Sequence, residues 1–166
     1  MDLIKLRQTS DNKVATTFRL LLALVFLMTG PMKLLAPSLA AAWSGQLLAA
    51  NLPFYLLTLW TVPYVELALG VILALGFFAR PAVVGAIGIM IVATYVHLVV
   101  DDPSLFPLQP NEPIISLAVI AMSLYVLLRG AGAWSLDLKA AKAGNAFSTH
   151  WVEIPAWNRN LAREEH

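Results

Sequence analysis

Two ionisable side chains, Glu66 and His97, lie inside long apolar stretches of the sequence and are the best candidates for chemistry. Glu66 lies near the middle of its stretch, where a charged carboxylate costs about 2.5–3.5 kcal/mol on insertion scales. It must be protonated, paired or hydrated, so it carries a proton or anchors a ligand, or else it forms a structural ion pair or an interhelical hydrogen bond. His97 lies near the end of the next stretch and either exchanges a proton with a quinone oxygen, anchors a polar ligand or is an ordinary interfacial histidine.

Two basic side chains, Arg19 and Lys33, lie in the first apolar stretch and are the candidate partners of Glu66. A helix rising about 1.5 Å per residue separates them by about 21 Å. Each side chain can therefore extend to its own edge of a membrane. Arg19 would approach Glu66 from the cytoplasmic half and Lys33 from the outer half.

Aromatic side chains near the two candidate residues predict a flat slot for a ligand. Trp60 and Tyr64 precede Glu66 in the sequence, and Tyr95 precedes His97. Aromatic residues at helical spacing also serve simply for packing, and this alternative stays open. If the slot forms, a planar ring would fit against it.

Acidic residues collect in the segment that follows the third apolar stretch. Asp101, Asp102 and Glu112 would form a rim on the outer side of a membrane, able to bind a hard cation or only solvent. No spacing of ligands typical of a metal site is present, so no metal is expected.

The composition predicts that these residues lie in a membrane. Of 166 residues, 59% are hydrophobic and 13% are charged, and the mean hydropathy is +0.73. Soluble globular chains carry about 25% charged residues. The net charge of +1 gives no electrostatic footprint for nucleic acid. The absence of cysteine excludes disulfides, thiol redox chemistry and thiolate-held metals.

Four apolar segments are candidate transmembrane helices, because a bilayer core of about 30 Å needs about 20 residues of helix. They cover residues 14–36, 54–79, 81–100 and 113–128. A short surface helix is expected over 38–48, and an amphipathic helix, capped by Ser135, over 136–143. Ten of the 11 Lys and Arg residues fall on one side of these spans, so the positive-inside rule places both termini in the cytoplasm.

Small residues at helical spacing place most of the charged side chains on the inward faces of these helices, since small residues let helices approach closely in lipid. The predicted inward stripes are Arg19, Ala23, Phe26, Gly30 and Lys33; Pro63, Glu66, Gly70 and Ala74; Ala82, Ala86, Ala93 and His97; and Glu112, Ser116 and Ser123. We expect an all-α, integral membrane four-helix bundle. Residues 1–13 would form a cytoplasmic segment, 14–130 the transmembrane domain and 131–166 a cytoplasmic amphipathic tail.

Several motifs, in their order, resemble the DoxX/DoxD family over residues 14–138. They are Arg19-x6-Phe26-x3-Gly30-x2-Lys33-Leu34, Val65-Glu66 followed by Gly70 and Gly76, His97, Asn111-Glu112, and Gly130-x-Gly132-x2-Ser135-Leu136-Asp137. The resemblance implies a four-helix protein of the bacterial inner membrane. Named members of the family look like small subunits of thiosulfate–quinone or terminal quinol oxidoreductases, and others belong to membrane complexes that handle oxidative or thiol stress.

We therefore expect a membrane subunit of a quinone-linked oxidoreductase that works with other membrane subunits in the bilayer. Glu66 and His97 would be catalytic, and the ligand-binding residues would be Arg19, Lys33, Trp60, Tyr64, Tyr95 and Glu112. We expect no intrinsic cofactor beyond a bound quinone or quinol, so a protein partner must exchange the electrons. The alternative is a non-catalytic accessory or assembly subunit whose polar strip is structural. A small transporter or channel would require an oligomer.

Overall fold

The computed structural model describes residues 7, 9–100 and 113–143, and this part of the chain is helical, without strands. The helices are α1 (Lys13–Leu35), α2 (Pro37–Ala49), α3 (Tyr55–Leu75), α4 (Ala79–Val99) and α5 (Ile114–Arg129). A sixth helix, α6, covers residues 136–143. All four apolar segments expected to be helical are helical, and so are the surface helix and the amphipathic helix.

The helix ends follow local backbone chemistry. The Asn12 side chain caps α1 by accepting a hydrogen bond from the backbone N–H of Ala15 at 3.1 Å. Helix α3 ends before the expected position because Gly76, at φ 63°, adopts the left-handed conformation that stops a helix. Residues 76–78 then reverse the chain into α4. Ser135 caps α6 as expected, accepting a hydrogen bond from the N–H of Leu138 at 3.1 Å.

Three helices, α1, α3 and α4, are long and apolar enough to cross a membrane, and α5 is a shorter apolar helix. The 16 residues of α5 extend about 24 Å, which is less than a bilayer core of about 30 Å. The expected fourth crossing is therefore a helix in the expected place, but its described residues do not make a full span. The chain is a multi-pass membrane protein with lipid as its surroundings.

Close packing between α1 and α3 depends on two glycines. A Cβ atom added to Gly30 would lie 2.8 Å from the carbonyl oxygen of Pro63, and one added to Gly70 would lie 2.8 Å from the Leu27 side chain. The two backbones therefore approach in the way that small residues allow in membranes. Helix α1 also packs on α5, α4 packs on α5 and on α3, and α2 packs across the ends of α1 and α3.

The inward faces expected from the sequence are the buried faces, within the described residues. Ala74 is the exception, because it is exposed. The buried members of the stripes are Arg19, Ala23, Phe26, Gly30, Pro63, Glu66, Gly70, Ala82, Ala86, Ser116 and Ser123. Lys33, Ala93 and His97 are partly buried. The outward faces carry large apolar side chains such as Val84, Ile91 and Leu98, as expected of surfaces in contact with lipid.

The helices define two ends of the molecule. At the first, which we call the α6 end, the start of α1 meets the segment after α5: the Thr16 hydroxyl donates to the carbonyl oxygen of Ala133 at 3.1 Å, and Arg7 pairs with Asp137 at 3.0 Å. At the other, the α2 end, α2 lies over the last turn of α1 and the first turn of α3. The first and last described residues therefore lie at the same end.

Candidate functional site

The buried carboxylate of Glu66 is paired with Lys33. The Lys33 ammonium donates to both carboxylate oxygens, at 2.6 Å to Oε1 and 2.7 Å to Oε2. The Thr29 hydroxyl donates to Oε2 at 3.1 Å. Glu66 is only 1% exposed, so these donors replace the water that would otherwise stabilise its charge. Of the two partners expected for Glu66, the structure selects Lys33.

The helix register explains this choice. Gly30 lies against the backbone of Pro63 and Leu67. Lys33 is less than one turn further along α1, so it lies beside the turn of α3 that precedes Glu66. The sequence led us to expect that the Lys33 side chain can extend outward to the membrane surface. In the structure it turns inward. Its Nζ lies 4.6 Å from the centre of the Trp43 ring, which stabilises the ammonium through a cation–π contact.

Beside this ion pair lies a cavity of about 340 Å³ at the α2 end. Helices α1, α2, α3, α4 and α5 all contribute to its wall. Its polar lining residues are Thr29, Lys33, Trp43, Gln46, Thr58, Glu66, His97 and Ser116, and the remaining ones are apolar or glycine. Pockets for small molecules have volumes of about 300–1,000 Å³, mostly apolar walls and a few polar groups. Glu66, Lys33 and His97 therefore share a space of ligand size.

Helix α2 forms one wall of the cavity. It begins with Pro37, which suits the first turn of a helix, and brings Trp43 and Gln46 to the cavity. A hydrogen bond of 2.7 Å between the hydroxyls of Ser44 and Tyr55 ties α2 to the start of α3. The surface helix expected from the sequence is thus also part of the candidate site.

The structure does not bring the three predicted aromatic residues to the cavity. Trp60, Tyr64 and Tyr95 are 63%, 56% and 48% exposed and do not line the cavity. Helix geometry gives the reason. Tyr64 lies two residues before Glu66, and Tyr95 two before His97, which places each about 200° around its helix from the group it was expected to flank. The only ring that contacts Lys33 among the described residues is that of Trp43.

Arg19 lies at the α6 end and does not approach Glu66. Its guanidinium is 1% exposed and binds main-chain carbonyl oxygens. Nε donates to Ala131 at 2.8 Å; one terminal nitrogen donates to Leu73 and, at 2.8 Å, to Ala74; and the other donates to Ala133 and Trp134, each at 3.4 Å. The last carbonyls of a helix lack partners within it, so Arg19 caps α3 from the side. Its expected role as a ligand-binding residue finds no support in this position.

Asp137, for which no role was predicted, holds the same end together. Its Oδ1 accepts hydrogen bonds from the backbone N–H of Phe78 and from Arg7, each at 3.0 Å, and its Oδ2 accepts one from the N–H of Ala79 at 3.0 Å. Asp137 therefore caps the start of α4, where unpaired N–H groups favour a negative charge. The N–H of Asp137 also donates to the carbonyl oxygen of Gly76 at 3.0 Å.

Four polar residues of the cavity wall were missed: Thr29, Trp43, Gln46 and Thr58. Thr29 lies four residues before Lys33, so helical spacing alone would have placed it on the same face. Nothing in the sequence indicated which face of α2 turns inward. Glu112, together with Asp101 and Asp102, lies outside the described residues, and the expected acidic rim is not tested.

Comparison with known proteins identifies the family of the chain. The sequence profile of the DoxX family matches residues 14–98, just over half of the chain, which includes Arg19, Lys33, Glu66 and His97. No curated protein and no solved structure matches the chain.

Proposed function

The chain belongs to the DoxX family, and we propose that it is the membrane subunit of a quinone-linked oxidoreductase complex, with its cavity as the site of a quinone or quinol head group. The observation that carries this proposal is that Glu66, Lys33 and His97 line one cavity whose other walls are mostly apolar. Such a cavity suits a ring that is apolar on its faces and polar at its two oxygens.

We further propose that the chain is a four-helix bundle in the cytoplasmic membrane of a bacterium, with α5 completing the fourth crossing and both termini in the cytoplasm. The distribution of basic residues supports this orientation. The basic residues at the α6 end are Arg7, Lys13, Arg19, Arg80, Arg129, Lys139 and Lys142, whereas Lys33 is the only described lysine or arginine at the α2 end. The α6 end would then face the cytoplasm.

The polar residues of the cavity have complementary roles in this proposal. A quinol supplies two electrons and two protons when it is oxidised. The Lys33 ammonium can donate a hydrogen bond to a head-group oxygen, and the Glu66 carboxylate and the His97 ring can each accept one of the two protons. Lys33 and Thr29 hold that carboxylate in place, since they bond both of its oxygens. The electrons would pass to a partner subunit.

The test is quinol turnover by the native complex, together with the quinone that co-purifies with it, for the wild type and Glu66→Gln. The control is Thr61→Val, because Thr61 is exposed on the same helix and its hydroxyl bonds only to the carbonyl oxygen of Leu57. Loss of the proton acceptor should lower turnover by about 10²-fold or more, with the control unchanged. Unchanged turnover of Glu66→Gln and no co-purified quinone would remove the proposal.

A second candidate is a non-catalytic accessory subunit, favoured by the complete pairing of Glu66 with Lys33 and Thr29, which is also what a purely structural ion pair requires. The double variant Lys33→Met/Glu66→Gln separates the two, because it removes the charges but keeps the side-chain sizes. Full turnover by a complex that contains this variant would establish the accessory role. Co-purification of partners with a chain lacking residues 144–166 would then show whether that segment is needed for docking.

A further inference from the structure

Helices α3 and α4 touch near the α6 end and separate towards the α2 end. A short turn joins them there, and the Leu69 side chain of α3 lies 3.6 Å from where a Cβ atom of Gly85 would be. At Gly88, one turn further along α4, a Cβ atom would have no described atom within 4 Å apart from its own helix. The gap between the two helices therefore begins between Gly85 and Gly88.

The residues along this gap are also residues of the cavity wall. Thr58 and Val62 of α3 line the cavity, and so do Gly88 and Val92 of α4. Gly88 is exposed, and Val92 is 41% exposed. Because Gly88 and Val92 belong to the cavity wall and are exposed, and a Cβ atom at Gly88 would meet nothing from α3, the cavity opens sideways between α3 and α4.

The opening lies at the depth of the hydrocarbon core. Gly88 is near the middle of α4, roughly 13–17 Å along the axis from either end of the helix. Val84 and Ile91, which flank it, are large apolar side chains exposed on the outer surface. A molecule that uses this opening therefore comes from the acyl-chain region and not from water.

We propose that this opening is a lateral portal, and that the ligand is a lipid-soluble quinone with a long hydrocarbon tail. Its polar head lies beside Lys33, Glu66 and His97, and its tail passes Gly88 into the bilayer. The inference rests on the proposed function for the kind of head group. Gly88 leaves room for the tail because it has no side chain, and the apolar residues along the gap match a hydrocarbon chain better than a polar one.

The test compares two probes on the purified chain in lipid nanodiscs: a benzoquinone without a tail and the same ring with a decyl tail. Gly88→Phe closes the gap from α4. Val84→Phe is the matched control, since Val84 is one turn earlier on α4, is exposed and does not line the cavity. We expect Gly88→Phe to bind the decyl quinone about tenfold more weakly than the wild type does, and to bind the tail-less ring with unchanged affinity. In the Val84→Phe control, the affinities for both probes should be unchanged.

The possible results separate the portal from the proposed function. If Gly88→Phe binds the decyl quinone as tightly as the wild type does, the portal alone is overturned. The portal alone is also overturned if Val84→Phe loses as much affinity for the decyl quinone as Gly88→Phe does. If Gly88→Phe loses both probes, the smaller Gly88→Val decides: loss of the decyl probe alone supports the portal, and any other result overturns it. A wild-type chain that binds neither probe overturns both the proposed function and the portal.

Discussion

The two ends of the molecule stabilise buried charge in different ways. At the α6 end, the Arg19 guanidinium bonds only to main-chain carbonyls, among them those of Leu73 and Ala131. At the α2 end, the Lys33 ammonium bonds to the Glu66 side chain beside a cavity. Main-chain acceptors can move only if the backbone that carries them moves, whereas a carboxylate can exchange one donor for another. Hence the α6 end is suited to fixing the fold, and the α2 end to responding to a ligand.

The largest loss of stability is expected for a substitution of Arg19. Arg19→Met removes five hydrogen bonds to main-chain carbonyls, and we expect a loss of about 5 kcal/mol in the free energy of unfolding, from roughly 1 kcal/mol for each bond. Thermal unfolding in detergent micelles measures it. Because the acceptors are main-chain atoms, no second side-chain substitution should restore stability. The control is Arg129→Met, at an exposed position at the end of α5. A comparable loss in this control would contradict the prediction.

The Lys33–Glu66 pair should behave differently, because its acceptor is a side chain. Lys33→Met leaves the buried carboxylate with the Thr29 hydroxyl as its donor, and should cost about 3 kcal/mol, the low end for an uncompensated buried charge. Adding Glu66→Gln should recover stability to within about 1 kcal/mol of the wild type, since the unpaired charge is gone. Unfolding of the two single variants and the double variant measures this coupling. A double variant no more stable than Lys33→Met would show that the two ends do not differ in this way.

A smaller effect is expected at Asp137, whose bonds include main-chain donors. Asp137→Ala removes the cap of α4 and the partner of Arg7, and should cost about 1–2 kcal/mol. Asp11→Ala is the control, because Asp11 is an exposed acid just before α1. Hydrogen exchange at the backbone N–H groups of Phe78 and Ala79 measures the loss of the cap directly. This exchange should become faster only in the Asp137 variant. Unchanged protection there would argue against the capping role.

The smallest effect is expected at Trp43. Trp43→Leu removes the ring beside Lys33 and should cost about 0.5–1 kcal/mol, the value of a cation–π contact. Trp60→Leu is the matched control, since Trp60 lies on the lipid-facing side of α3 and contacts none of the cavity. Thermal unfolding of both variants compares them. An equal loss in the two would mean that Trp43 contributes only apolar surface.

Much of the fold follows from the sequence, because hydrophobic length and small-residue spacing are properties of single helices. The burial of Arg19, Glu66 and Ser123 was predicted in this way. The partner of Glu66 was not, because the choice between Arg19 and Lys33 depends on how far α1 is shifted along α3. That shift is set by contacts between helices, chiefly Gly30 against Pro63, and no pattern within one helix reports it.

The aromatic residues give a second lesson. Nearness in sequence led to the expectation that Trp60 and Tyr64 lie beside Glu66. On a helix, however, Tyr64 lies about 200° around from Glu66, because it is two residues away, and Trp60 about 240° around, because it is six residues away. The ring that does reach Lys33 belongs to Trp43, on a helix whose inward face could not be chosen from its own sequence, since both faces are apolar or small.

The position of the α4 cap has a consequence for how the protein is made. Asp137 follows Ala79 by 58 residues, so the ribosome completes α4 and α5 before the residue that caps α4 exists. Until then, the N–H groups at the start of α4 depend on water or lipid head groups. A nascent chain cut short in α5 beyond Val119 would thus hold every residue that lines its cavity, yet would lack Asp137 and with it the cap of α4.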